Sequence, residues 1–184
     1  MIAKEDLLKQ ISGTIGKTKV LELSRILRER NFALRDLIDL TFTADKDIAF
    51  RAAWILENIF LQDPESYLKD LAYLVSRFRE VKHESCQRHY AKILMHITTK
   101  KSPAIRHQLE NLDLEPVVEQ CFDWLIDSEV KIAVKCFSAE ALFNLRERYP
   151  WIKEELASQL EFLMRSGGPG IQSRGKRLLE ALNR

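Results

Sequence analysis

Apolar residues recur at helical spacing along nearly the whole chain. Ile48, Ala52, Ile55, Leu56, Ile59 and Phe60 follow one another in steps that keep returning to three and four. The same rhythm runs through Val117, Val118, Cys121, Phe122, Leu125 and Ile126, and through Val130, Ala133, Val134, Phe137, Ala141, Leu142 and Leu145. Steps of three and four hold side chains on one face of a helix, whereas a half-buried strand requires alternation. No alternating segment competes. Prolines punctuate the pattern: Pro64, Pro103, Pro116 and Pro150 each stand where one apolar run stops and the next begins, and proline is tolerated in the first turn of a helix but not in its interior. The pattern predicts an all-α chain with helices over residues 2–12 and 17–30, 33–44 and 47–62, 64–80 and 83–99, 114–127 and 129–148, and 151–166 and 171–183.

The second helix of most pairs carries a related five-residue run: ILENI from Ile55, ILMHI from Ile93, ALFNL from Ala141 and LLEAL from Leu178. Successive starts are 38, 48 and 37 residues apart, near the period of about 40 to 47 of helical-hairpin repeats. Residues 100–113 account for the long interval, because Ser102 before Pro103 can cap a short extra helix inserted between two hairpins. On these spacings the chain resembles a HEAT-like α-solenoid. The runs RAAWILENI, AVKCFSAEALFNL, YPWIKEEL and SRGKRLLEAL resemble, more narrowly, a group of short bacterial HEAT-like proteins, some of which bear the name adenylosuccinate lyase. The resemblance spans residues 33–184. It implies a right-handed α-α superhelix of about five hairpins forming a single domain over 1–184, with 1–32 as a capping hairpin and the second helices on the concave side. It does not extend to lyase chemistry: the mobile Ser-Ser-x-Met-x-x-Lys-x-Asn loop of the true lyases is absent, and the nearest stretch, Ser166 to Gly170, lacks both the Met and the Lys-x-Asn.

Composition narrows the class. A chain of 184 residues that is 46% hydrophobic and 30% charged can bury about 70% of its unfolded surface as one domain, which argues against disorder. Six glycines and five prolines are too few for a collagen-like or loop-rich all-β chain, and no apolar run approaches the ~18 residues of a membrane span. Lys4, Glu5, Asp6 and Lys9 interrupt any secretory signal core. Cys86, Cys121 and Cys136 are odd in number and widely spaced, so they read as reduced thiols. Together these features predict a cytoplasmic protein with no membrane segment.

The candidate catalytic patterns each fail on a specific point. Gly170 to Lys176 spells G-x-x-x-x-G-K, but Arg177 stands where a magnesium-binding Ser or Thr is required and no strand precedes it. The apolar residues Ile171, Leu178, Leu179 and Leu182 predict a buried helix face there instead. His83 and His89 are six residues apart, about 240° around a helix, so they cannot converge with Cys86 on one ion. His89 and His96 share a face but lie about two turns apart. A Cys86 nucleophile assisted by either histidine lacks an orienting group. Some HEAT-like proteins are DNA glycosylases that join an aromatic side chain to an acid; of the three tryptophans only Trp124 adjoins an acid, Asp123, and Trp54 and Trp151 fall where core or helix-start packing is expected. The sequence therefore predicts no catalytic residue, no metal and no cofactor.

Charge is distributed unevenly. The formal net charge of +2 conceals second-helix segments whose net charges sum to +10 and first-helix segments whose net charges sum to −10, seven of the acids falling between residues 110 and 129. Lys100, Lys101, Arg146 and Arg148 sit at helix carboxyl ends, where the macrodipole favours cations. Arg51, Arg88, Lys131, Lys135, Arg174 and Lys176 sit toward amino ends, where it opposes them. Either these cations meet an external anion or they form ion pairs such as Asp47 with Arg51 and Glu84 with Arg88. The leading expectation is a non-enzymatic scaffold that binds an acidic protein partner along a basic concave surface through Arg51, Arg88, Lys92, Lys135, Arg174 and Arg177. The alternative is sequence-independent nucleic-acid binding, or DNA-base repair, by the same groove. Apolar faces at solenoid ends also suggest a homodimer contact.

Overall fold

In a computed structural model that describes residues 4–30, 32–99 and 101–183, every regular element is helical. Residue contacts gather into two compact units, Met1–Ile93 and Leu94–Arg184. Lys100, named above among the cations at helix carboxyl ends, lies outside the described residues, as do Arg184 and residues 2 and 3 of the predicted first helix.

The first unit contains α1 (Lys4–Ser12), α2 (Lys17–Glu29), α3 (Leu34–Leu40), α4 (Lys46–Gln62), α5 (Leu71–Arg77) and the residues of α6 (Glu84–Ile97) up to Ile93. At its centre is α4, which packs against α1, α2 and α3. Its sequence explains that position. Asp45 caps it by accepting from the amides of Asp47 and Ile48 at 2.9 and 3.1 Å. Ala49, Ala52 and Ala53 present a small surface that lets neighbours approach, while Ile55, Leu56, Ile59 and Phe60 fill the remaining space. The predicted helix over 64–80 is instead three pieces: a 3-10 segment over Pro64–Asp70, α5, and a 3-10 turn over Phe78–Glu80. The break falls at Tyr67, whose φ of −117° and ψ of 21° leave the helical region while its ring lies 5.9 Å from that of Phe60. Farther along, α6 is seated by Tyr90, which meets Phe42 and Phe78 edge-on, each at 6.0 Å, and shares a 2.7 Å hydrogen bond with Thr41.

The second unit contains the end of α6, then α7 (Pro103–Glu110), α8 (Glu115–Ile126), α9 (Ile132–Leu145), α10 (Ile152–Ser166) and α11 (Pro169–Leu182). The expected extra helix in 100–113 is α7, with the Ser102 hydroxyl accepting from the Ile105 amide at 3.3 Å. Here the centre is α9, packed against α8, α10 and α11. Its buried residues, among them Val134, Cys136, Ala139, Ala141 and Leu142, go all the way round the helix, as expected of one enclosed by neighbours. The five-residue runs are core: their first and last positions, Ile55 and Ile59, Ile93 and Ile97, Ala141 and Leu145, Leu178 and Leu182, are all buried.

Candidate interaction surfaces

The second helices of the first unit form a face on which polar and aromatic groups meet. From α4 come Phe50, Trp54, Glu57 and Asn58, successive positions of one helical face, with the Phe50 and Trp54 rings 5.8 Å apart and both half-buried. From α6 come Arg88, His89 and Lys92. Glu57 is 4% exposed. One of its carboxylate oxygens pairs with His89 Nδ1 at 2.6 Å and the other accepts from Lys92 Nζ at 2.6 Å. The His89 ring lies 5.5 Å from Phe50, and its Nε2 is buried with no hydrogen-bond partner. Burial pushes the Glu57 carboxyl up, but the bonds and charges of His89 and Lys92 outweigh it and hold the group below its ordinary value. Glu57 is thus a committed carboxylate, engaged on both oxygens.

The six cations singled out from the sequence serve different ends. Arg51 reaches from α4 to the carboxyl end of α1, where Nη1 donates to the carbonyls of Ile11 and Ser12 at 2.9 and 3.0 Å and Nη2 pairs with Asp47 at 3.3 Å. It occupies carbonyls that α1 leaves unpaired at its end. Lys92 is bound to Glu57. In the second unit Arg174 and Arg177 of α11 both pair with Glu140 of α9, Arg174 at 3.3 Å, and Arg174 also lies over the Phe137 ring at 5.3 Å. Lys135 of α9 is only 7% exposed, so little of it is open to a ligand. Arg88 is exposed and, among the described residues, outside every ion pair. Arg148 repeats the behaviour of Arg51: Nη1 donates to the Leu109 carbonyl at 2.7 Å and Nη2 to that of Leu112, closing the end of α7.

Elsewhere the candidate chemistry is taken up by packing. A cleft of about 590 Å³ lies between the Thr41–Ala44 turn and the segment from Glu80 to Cys86. His83 lines it, whereas His89 is buried against Phe50, so the two imidazoles serve different environments. Cys86, at the same cleft, is buried and directs its thiol to the Thr41 carbonyl at 3.9 Å. Burial pushes that thiol up to about 12, and the Cys121 thiol likewise, which removes the thiolate a nucleophile needs. The G-x-x-x-x-G-K run lies inside α11 and presents helix rather than loop. Trp124 is buried while its neighbour Asp123 is exposed, so the pair does not converge. No helix among the described residues is long and apolar enough to cross a membrane.

A family model for the HEAT repeat domain matches residues 7–182. The chain belongs to the HEAT repeat family. No curated protein matches it in sequence. HEAT repeats are helical hairpins that generally serve as protein-interaction scaffolds and are typically non-enzymatic, and stacking such hairpins buries a continuous core while leaving helix faces for partners. In this HEAT repeat protein two groups of residues escaped the sequence reading. The first is the Glu57–His89 pair. Its signal was present in ILENI, since an acid inside an otherwise buried run requires a partner, but the partner comes from the next hairpin. The second is the exposed apolar set Ile126, Trp151 and Phe162, which periodicity alone assigns to ordinary helix faces and starts.

Proposed function

We propose that the protein is a non-enzymatic interaction scaffold that takes an acidic protein segment on the α4–α6 face of its first unit. The observation that carries this reading is the division of labour among the second-helix cations: Arg51, Lys92, Arg174 and Arg177 already have partners within the chain. A nucleic acid draws its affinity from many phosphates neutralised by free cations, about six to ten in a typical contact. Cations held in ion pairs serve that purpose only after those pairs are broken. A protein segment needs less: an aromatic anchor with one or two well-placed charges around it. Phe50 and Trp54 are half-exposed at the surface of α4, Arg88 is available on α6, and Lys92 is 27% exposed even while bound to Glu57. Three free, buried cysteines accord with a reducing compartment, and we place the protein in the cytoplasm.

The test is a fluorescence-anisotropy titration of a labelled Glu/Asp-rich peptide containing one aromatic residue against wild type, Arg88→Glu and Trp54→Ala. Each variant is first shown by circular dichroism to remain helical. The expected result is that both weaken binding about tenfold. Unchanged affinity in both, or no binding by wild type at low salt, overturns the reading.

A further inference from the structure

The second unit carries an apolar patch where its first helices meet solvent. Trp151, at the start of α10, is 46% exposed and stacks on Phe122 of α8, with ring centroids 5.3 Å apart and planes inclined by 28°. Ile126 is 61% exposed and lies one turn beyond Phe122 on the same face of α8. Phe122 thus has Trp151 stacked on it and Ile126 at the next turn of its helix, and these two flanking groups are large apolar side chains left in water. Single exposed apolar residues are ordinary on protein surfaces; an aromatic stack continued by an exposed isoleucine marks a place for a partner.

The surroundings identify that partner. Glu115, Glu119, Asp123 and Asp127 stand at four-residue intervals along α8 and its end, all exposed, and the chain has no Lys or Arg between Arg106 and Lys131. Like charges at this spacing repel, and the helix dipole disfavours Asp123 and Asp127 at the carboxyl end. Asp127 has a local role, its carboxylate accepting from the Glu129 amide at 2.9 Å. Asp123 sits against both local preferences, beside Phe122.

We propose that Phe122, Ile126 and Trp151 form a docking surface for a basic segment of a partner protein, a short stretch in which Lys or Arg flanks an apolar side chain. The apolar residue covers Ile126 and the exposed edge of the stack, a cation lies over the Trp151 ring, and its neighbours meet Asp123 and Glu115. A polyanion is repelled from this surface. A second copy of the chain offers fewer cations, because Arg51, Arg174 and Arg177 of its second helices are held by internal partners and Arg88 alone of the four candidate arginines stands outside the ion pairs of the described residues.

The experiment uses the full-length protein and two labelled peptides of equal positive charge, one with leucines between its lysines and one with serines in their place. Anisotropy is measured against wild type, Ile126→Ser and Asp123→Lys. Both substitutions fall on exposed side chains, so unchanged helicity and melting temperature are expected of each. The leucine peptide should bind wild type about tenfold more tightly than the serine peptide, and each variant should lose most of that difference. Equal binding of the two peptides, undiminished binding by both variants, or no binding of the leucine peptide at low salt overturns the proposal. Sedimentation of the same samples provides the remaining check. A wild-type dimer that Ile126→Ser abolishes would assign the patch to a second copy and overturn the basic segment as its occupant.

Discussion

Glu57 shows what one buried charge requires of its neighbours. It lies in a run of apolar core residues, and it is tolerated because α6 brings an imidazole to one oxygen and an ammonium to the other. Since these partners hold its pKa below the ordinary carboxylate value, the folded chain binds the Glu57 proton less readily than the unfolded chain. The resulting stabilisation is complete above the ordinary carboxylate range and is lost as pH falls through the lowered value. Glu57→Gln should therefore cost about 2 kcal/mol near pH 7, and the gap from wild type should narrow toward pH 3. Urea unfolding at both pH values reads this directly, and an equal gap at the two would contradict it. Arg51 is a second case, a cation drawn inward to the end of another helix. Arg51→Ala leaves the Ile11 and Ser12 carbonyls without their donor and should cost about 1 to 2 kcal/mol, with faster amide exchange confined to α1.

At the scale of elements, periodicity found nearly every helix because the core positions of a helix repeat locally. The 64–80 segment shows where that local information ends. Its apolar spacing is helical, but the conformation that breaks it at Tyr67 goes with a ring packed near Phe60 of another element. The turn between α10 and α11 was legible in outline from Gly167, Gly168, Pro169 and Gly170, while the reason for each glycine was not. A Cβ on Gly167 would meet the Leu163 carbonyl oxygen at 2.5 Å and press on the Ile171 side chain, whereas one on Gly168 meets nothing within 4 Å. Gly167→Ala should lower stability by about 1 to 3 kcal/mol, and Gly168→Ala should leave it nearly unchanged. Thermal melts of the pair separate a packing requirement from a general need for flexibility. Both losing stability equally would contradict this account.

For the whole molecule, charge counting along the chain recovered the excess of cations on second helices but not their use. Whether Arg174 meets a ligand or Glu140 depends on how one hairpin registers on the next, a separation of 34 residues that no local pattern encodes. The same limit hid the patch at Trp151, whose stacking partner lies on the preceding first helix. What emerges is a HEAT repeat protein in which several second-helix cations, Arg51, Lys92, Arg174 and Arg177, are tied to residues of neighbouring hairpins. The most direct test is a side-by-side anisotropy titration of a labelled acidic peptide and a duplex DNA against wild-type protein, each at low and physiological salt. The account predicts peptide binding that persists at physiological salt, with duplex binding weak and only shallowly salt-dependent. Tight duplex binding that falls log-linearly with salt, at a slope corresponding to about six or more phosphates, would contradict it.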